Sequence, residues 1–206
     1  MLIETVPVGP LQVNCYLVGC PATRQALVID PGDEGERLLQ LLQSLELQLK
    51  LVVNTHAHFD HVGGNAVLVA QPGVELLLHP DDLPLLGRAT AQAAAYGLQA
   101  TPSPQPTRLV REGDRIECGS LGFDVLHLPG HSPGGICLVG HGHLFAGDVL
   151  FAGSVGRTDL PGGNHQQLID GIRRKLLPLP GTTVVHPGHG PDTTIEAEKL
   201  YNPFVA

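Results

Sequence analysis

The chain has 206 residues, of which 42% are hydrophobic and 16% charged, a composition that suits one globular domain with a sizeable core. Its 26 glycines keep no three-residue period, which excludes a collagen-like chain. A formal net charge of −8 argues against sequence-independent binding to nucleic acid or to anionic membranes, because both need clustered cations.

The first half of the chain alternates strand and helix patterns. Asp33 and Glu36 occupy the positions of a capping box, and leucines three and four residues apart follow them, so the pattern predicts an amphipathic helix over 33–45. The first two apolar segments flank a turn rich in Pro and Gly and predict a β-hairpin. The strands predicted in this half lie at 2–6, 13–18, 26–29, 51–53 and 75–78.

The second half begins with an Ala-rich and then Pro-rich segment, 84–106, which we expect to form a helix and a loop over one face. Helices are predicted at 166–177, with cations in the last turn, and at 194–200. Two strand-rich halves with few helices favour two stacked sheets with helices outside, of α/β or α+β class. The strands predicted here lie at 115–118, 123–128, 136–139, 143–146 and 182–185.

The segment Thr55-His56-Ala57-His58-Phe59-Asp60-His61 follows a buried strand. In extended chain His56 and His58 point to the same side, whereas a helix starting after them would aim Asp60 and His61 elsewhere. One short segment can therefore serve two neighbouring metal positions. Imidazole and carboxylate ligands suit zinc, and also iron or manganese. A polar loop with satisfied histidines is the alternative, and three histidines with a carboxylate in this setting disfavour it.

Three more candidate ligands follow apolar strands, namely His131, Asp148 and His189. Each is preceded by Gly, which permits sharp turns. The remaining histidines lack this setting and are predicted to be structural or at the surface, with His186 the nearest competitor of His189; they are His79, His127, His141, His143, His165 and His186. The cysteines are predicted to be reduced, mostly buried thiols: Cys15, Cys20, Cys118 and Cys137.

The motif at 55–61 resembles the signature of the metallo-β-lactamase superfamily. Later motifs match in order, and the resemblance extends from Asn14 to Phe204: Pro129-Gly130-His131-Ser132, Gly147-Asp148 and Pro187-Gly188-His189-Gly190. It implies an αββα sandwich of two stacked mixed β-sheets flanked by helices, forming a single domain over 1–206 with a metal site at one edge of the sheets.

By this resemblance, two divalent metal ions, zinc in the first instance, would bind seven residues. His56, His58 and His131 would hold one ion; Asp60, His61 and His189 would hold the other; Asp148 would bridge them. Two cations roughly 3.5–4 Å apart can clamp a water and lower its pKa to about 7. Catalysis would then depend on Asp60 and Asp148 through a metal-bound hydroxide that attacks a carbonyl.

Residues 147–163, which include Gly156-Arg157-Thr158-Asp159, resemble the small glyoxalase II-like hydrolases. The resemblance implies hydrolysis of a small-molecule thioester of the S-D-lactoylglutathione type. It also implies that Arg157 contacts a substrate carboxylate, with pairing to Asp159 as the alternative role. By this comparison we expect a single domain without the C-terminal helical region, rich in basic residues, that glyoxalase II has.

Other members of the superfamily give alternative readings. A persulfide dioxygenase resembles the chain closely and would use one iron at the equivalents of His56, His131 and Asp148. His189, in its Pro-Gly-His-Gly-Pro turn, favours the two-metal hydrolase instead. A lactonase or β-lactamase would use the same ligands, a nuclease is disfavoured by the acidic chain, and a non-catalytic protein is disfavoured by the complete ligand set. We expect a cytoplasmic protein without membrane or nucleic-acid partners, while the sequence leaves its oligomeric state open.

Overall fold

Two six-stranded mixed β-sheets form the centre of the protein, in a computed structural model that describes residues 1–205. The strands are β1 (Leu2–Val8), β2 (Val13–Gly19), β3 (Gln25–Ile29), β4 (Gln48–Val53), β5 (Glu75–Leu78), β6 (Arg108–Leu109), β7 (Arg115–Cys118), β8 (Leu121–His127), β9 (Ile136–Gly140), β10 (His143–Gly147), β11 (Leu150–Phe151), β12 (Ser154–Val155), β13 (Val184–Pro187) and β14 (Thr193–Thr194). The first sheet has the order β1-β2-β3-β4-β5-β6, and the second has the order β14-β13-β10-β9-β8-β7. A short hairpin, β11-β12, stands apart.

Helices cover both outer faces of the sheets. They are α1 (Gly35–Ser44), α2 (Phe59–Val62), α3 (Asn65–Val69), α4 (Leu83–Leu86), α5 (Ala89–Ala95), α6 (His165–Gly171) and α7 (Ile195–Tyr201). A π-helical turn, Ile172–Leu176, continues α6. The αββα sandwich expected from the sequence is confirmed. Among residues 1–205, no helix has the length and apolar character needed to cross a membrane.

The main core lies between the two sheets. Tyr16 and Leu27 from the first sheet and Phe123 and Phe145 from the second are almost completely buried in one cluster. The Tyr16 and Phe145 rings meet edge to face, with centroids 5.3 Å apart. Burying each such side chain contributes about 1.5–3 kcal/mol, so this layer holds the two sheets, and with them the two halves of the site, in register.

The outer cores bury the apolar faces of the helices. Leu38 and Leu42 of α1 pack on the first sheet, as the leucine spacing predicts, and Leu168 and Ile172 pack on the second. A smaller cluster, which includes Phe59, joins α2 to α4 and α5. Segment 84–106 therefore forms short helices and a loop beside the motif at 55–61, in agreement with the expected helix and loop.

Two local predictions need correction. The capping box at Asp33 and Glu36 is wrong: α1 begins after Glu34, which has a left-handed backbone and no side-chain cap. The Asp33 carboxylate instead accepts a hydrogen bond from the Glu34 amide, and the Glu34 carboxylate binds the Gly9 amide and Arg37. The strand predicted at 182–185 is shifted to Val184–Pro187.

Candidate metal centre

The candidate ligands gather where four strands end. β3 runs parallel to β4 in the first sheet, and β10 runs parallel to β13 in the second. The carboxyl ends of parallel strands share one edge of a sheet, and this is where α/β proteins place their sites. The segment after β4 supplies the histidine motif, while the loops after β8, β10 and β13 supply His131, Asp148 and His189. All seven predicted ligands meet at this edge.

The first group contains three histidines whose ring nitrogens face one another. His58 Nδ1 lies 2.9 Å from His131 Nε2, and His131 Nε2 lies 3.2 Å from His56 Nε2. All three residues are buried. His58 is extended and precedes α2, so it points with His56 before the chain turns into the helix.

Neighbouring groups determine which nitrogens of these rings carry protons. His131 Nδ1 donates to the Arg157 carbonyl at 2.8 Å. The Thr55 hydroxyl donates to Asp30 at 2.6 Å and can therefore accept from His56 Nδ1 at 3.1 Å. The Nε2 lone pairs of His56 and His131 then face each other, and a metal ion bound by both would satisfy them. The donor set thus fits a metal ion.

The second group contains Asp60, His61 and His189. His61 Nε2 is 3.7 Å from Asp60 Oδ2, and His189 Nε2 is 3.4 Å from the same oxygen. His61 Nδ1 donates to Asp30 at 3.0 Å, and His61 Nε2 is buried without a hydrogen-bond partner. A buried polar atom without a partner is costly, and a metal ion beside the carboxylate would satisfy it.

Asp148 lies between the two groups. Its Oδ1 is 3.6 Å from His61 Nε2, while its Oδ2 is 3.6 Å from His131 Nε2 and 3.7 Å from His189 Nε2. Oδ1 also is buried without a hydrogen-bond partner. One carboxylate therefore faces both histidine groups, which is the arrangement required of a bridging ligand.

The electrostatics of the two groups differ. Burial lowers the pKa of His58 to about 3 and that of His56 well below its ordinary value, so both rings are neutral, the form that binds metals. Burial also opposes protonation of His61, but Asp60, Asp148 and Asp30 outweigh it and raise its pKa to about 10. The second position therefore attracts positive charge strongly.

Asp30 and Asp82 support the centre but were not identified as site residues from the sequence. Asp30 accepts from the Thr55 amide, the Thr55 hydroxyl and His61. Asp82 accepts from the Ala57 amide, the Ser132 hydroxyl and the Gly134 amide, so it ties the histidine motif to the loop of His131. Asp30 follows an apolar strand just as Asp148 does, and that signal could have identified it.

The turn that carries His189 is anchored by the first sheet. The Asn14 amide donates to the Pro187 and Gly190 carbonyls at 3.0 and 2.8 Å. The Tyr16 hydroxyl donates to the Pro187 carbonyl at 2.6 Å. These bonds join residues about 170 positions apart in the chain, so no local pattern in the sequence could reveal them.

The glycines before Asp148 and His189 lie so close to neighbouring groups that no side chain fits there. Gly147 has φ +49°, and a side chain there would also collide with Thr55. A Cβ at Gly188 would collide with the Asp148 carboxylate and lie 3.0 Å from the His61 ring. The glycine preceding Asp148 and the one preceding His189 thus allow the two strand ends to meet.

A cleft of about 480 Å³ opens above the centre, and Arg157 lies in its wall. The Arg157 guanidinium donates to Asp159 through Nε at 2.7 Å and through a terminal nitrogen at 2.8 Å. The pairing that the sequence left as an alternative is therefore present. The substrate contact predicted for Arg157 stays a prediction.

Of the other histidines, the structure places several in contacts of their own. His79 and His127 stack with centroids 3.9 Å apart, and His79 caps the turn at Asp81. His143 and His186 also stack, and His186 is 3.0 Å from Asp192 rather than in the centre. All four cysteines are free and buried, as predicted.

Comparison with known proteins identifies the family. The sequence profile of the metallo-beta-lactamase superfamily matches residues 8–189, a range that includes every predicted ligand. The chain belongs to the metallo-beta-lactamase superfamily. This superfamily member is also 42% identical to a protein of Haemophilus influenzae named hydroxyacylglutathione hydrolase GloC, over all of this chain and 98% of that protein.

Solved structures of other superfamily members agree. A structure described as TTHA1623 in a di-iron-bound form superposes with a TM-score of 0.91 at 48% identity, covering 98% of this chain and 99% of that one. ETHE1 from Myxococcus xanthus superposes with a TM-score of 0.83 at 34% identity, covering all of this chain and 85% of that one. This superfamily protein is thus an enzyme of the metallo-hydrolase type, with a His/Asp cluster suited to two metal ions.

Proposed function

We propose that the protein is a two-metal thioester hydrolase acting on substrates of the S-D-lactoylglutathione type. The observation that carries this proposal is the second ligand group, Asp60, His61 and His189, beside a complete three-histidine group. A one-metal centre would not need that group. The likeness to a protein named hydroxyacylglutathione hydrolase supports the thioester as substrate.

In this proposal the ligands divide as the resemblance implies, with zinc, iron or manganese as candidate ions. His56, His58 and His131 would hold one ion and Asp60, His61 and His189 the other, with Asp148 placed between the two groups. When bound, two divalent ions activate a water and polarise a carbonyl oxygen as Lewis acids. The di-iron form of the similar protein supports a dinuclear site without deciding which metal this chain prefers.

The chain's own groups orient the ligands and the substrate. Asp30 holds the proton on His61 Nδ1, so Nε2 is the nitrogen that gives up its proton to bind a metal. Asp60 and Asp148 line the cleft with their carboxylates, where they can orient a water and accept its proton. Phe59 and Phe151 give the cleft an apolar wall beside these carboxylates. At the rim, the Arg157 terminal nitrogen that does not bond Asp159 is the one that offers a contact to a substrate carboxylate.

A persulfide dioxygenase is the second candidate, because ETHE1 is a close structural neighbour. It would need His56, His131 and Asp148 around one iron and would leave Asp60 and His61 without a metal. The buried Nε2 of His61, which has no hydrogen-bond partner, argues for the two-metal assignment.

The test compares wild-type protein, Asp60→Ala and the control Asp124→Ala, each loaded with metal. Asp124 is an exposed residue of β8, outside the cleft. Hydrolysis of S-D-lactoylglutathione should fall at least about 100-fold in Asp60→Ala. Loss of a residue that hydrogen-bonds a metal ligand already lowers metal affinity or activity by up to about 100-fold, and loss of the ligand itself should lower it at least as much. Undiminished hydrolysis in that variant, or oxygen uptake on glutathione persulfide without hydrolysis, would overturn the proposal.

A further inference from the structure

A second groove, of about 570 Å³, opens beside the metal cleft between α4, α5 and the loop around Pro161. Its walls are largely apolar and include Leu85, Ala91 and Ala95. Four residues line both the groove and the metal cleft, namely His58, Gln92, Tyr96 and Leu160. The groove therefore continues the cleft, and its volume falls in the range of small-molecule sites.

Two charged side chains line this groove without compensating partners. The ion pairs of residues 1–205 engage four other arginines, at positions 24, 37, 115 and 157, but none involves Arg88. The Asp81 carboxylate has His79 as its neighbour, at 3.8 Å. Burial lowers the pKa of His79 to about 4, so this ring is neutral at pH 7 and leaves the Asp81 charge uncompensated.

A cation and an anion in one groove, more than 4 Å apart, match a ligand that carries both charges. An α-amino acid group is such a ligand, because its carboxylate suits the planar fork of an arginine and its ammonium suits a carboxylate. The protein carries a net charge of −8, so an anionic ligand needs a local cation to bind. Arg88 supplies that cation beside the cleft, whereas Arg157 is already paired with Asp159.

We propose that the groove binds the thiol half of the substrate by its amino acid end, with Arg88 on the carboxylate and Asp81 on the ammonium. The apolar walls would contact the chain between this end and the sulfur, which lies toward His58. The γ-glutamyl end of glutathione has the required chemistry. The inference rests on the proposed function only for the identity of the thiol carrier, since binding can be measured without hydrolysis.

The test measures calorimetric binding of S-propylglutathione, a thioether that cannot be hydrolysed, to the metal-loaded protein. Arg88→Gln should weaken binding about 5–30-fold, the value of one charge-assisted contact at a partly exposed site. Arg173→Gln is the matched control, because Arg173 is also exposed and lies outside both cavities. It should leave the dissociation constant unchanged.

Asp81 is tested with N-acetyl-S-propylglutathione, which lacks the ammonium. The wild type should bind the acetylated ligand more weakly than S-propylglutathione, by about the same factor by which Asp81→Asn weakens binding of S-propylglutathione. The Asp81→Asn variant should bind the two ligands with equal affinity. Equal losses from acetylation in both proteins would overturn the role of Asp81.

The inference as a whole is overturned if the wild type does not bind the thioether, or if Arg88→Gln binds it as tightly as the wild type. Either result leaves the hydrolase assignment standing if S-D-lactoylglutathione is turned over. Conversely, Arg88-dependent binding without thioester hydrolysis would refute the proposed function and support the groove as a glutathione site.

Discussion

Replacing Asp30 by Asn tests how the second ligand group is organised. Asp30 has φ +51°, a conformation that Asn tolerates as well as Asp does, so the backbone should not change. The Asn carbonyl can still accept from the Thr55 amide. Its NH₂ group, however, would face the Thr55 hydroxyl and His61 Nδ1, which both donate to the carboxylate in the wild type.

The consequence for His61 is a change of tautomer. With an NH₂ group opposite Nδ1, the ring proton moves to Nε2, the atom that faces Asp60 and Asp148. We expect affinity for the second metal to fall about 10–100-fold, as it does when outer-shell partners are lost. The metal-free protein should lose about 1–3 kcal/mol of stability, because two hydrogen bonds to a buried carboxylate are replaced by weaker bonds to a neutral amide.

The assay is competition with a chelator of known affinity, read as bound metal per chain, together with urea unfolding of the metal-free protein. Asp33→Asn is the matched control, because Asp33 lies in the same loop and is exposed. Its carboxylate accepts a hydrogen bond from the neighbouring Glu34 amide and not from a residue of the centre. If Asp30→Asn binds two ions with wild-type affinity, Asp30 does not organise the second group.

Three further predictions concern the surroundings of the centre. Gly188→Ala should displace the Asp148 carboxylate and abolish two-ion binding in a metal assay, whereas Gly87→Ala, which meets only ordinary contacts, should bind two ions. His79 takes up a proton near its ordinary pKa of 6.5 in the unfolded chain but only near pH 4 in the folded protein. The folded state therefore loses stability as the pH falls from about 6.5 to about 4. His79→Asn should reduce this loss in urea unfolding of metal-free protein at pH 7 and pH 4.5, and an equal loss in both proteins would contradict it. Removing metal with a chelator should lower the melting temperature of the wild type, because bound metal stabilises only the folded state, and an unchanged melting temperature would refute this.

The sandwich and its site edge could be predicted because both depend on local patterns. Short apolar runs ended by Gly or Pro marked the strands, and polar residues at strand ends marked the candidate ligands. His131, Asp148 and His189 were found in this way, and the structure brings them to the motif at 55–61. The resemblance to the superfamily supplied the pairing of the sheets, which periodicity left open between α/β and α+β.

The supporting contacts could not be predicted, because they join distant parts of the chain. Asp82 lies in a short turn after β5 and binds a loop about 50 residues away. In the sequence, Asn14 and Tyr16 look like ordinary residues of a strand. Only the structure shows that they hydrogen-bond the turn that carries His189. The capping box was wrong because Asp33 and Glu34 bond to nearby backbone and to Arg37 instead.

Reconstitution of the metal-free protein tests the central claim, that two ions are needed for hydrolysis. Zinc, or iron or manganese in parallel, is added in fractional equivalents, and S-D-lactoylglutathione hydrolysis is measured at each step. The account predicts that activity reaches its plateau only at two ions per chain, because Asp60, His61 and His189 must be occupied as well as the three-histidine group. Full activity at one ion per chain, unchanged by further metal, would contradict it.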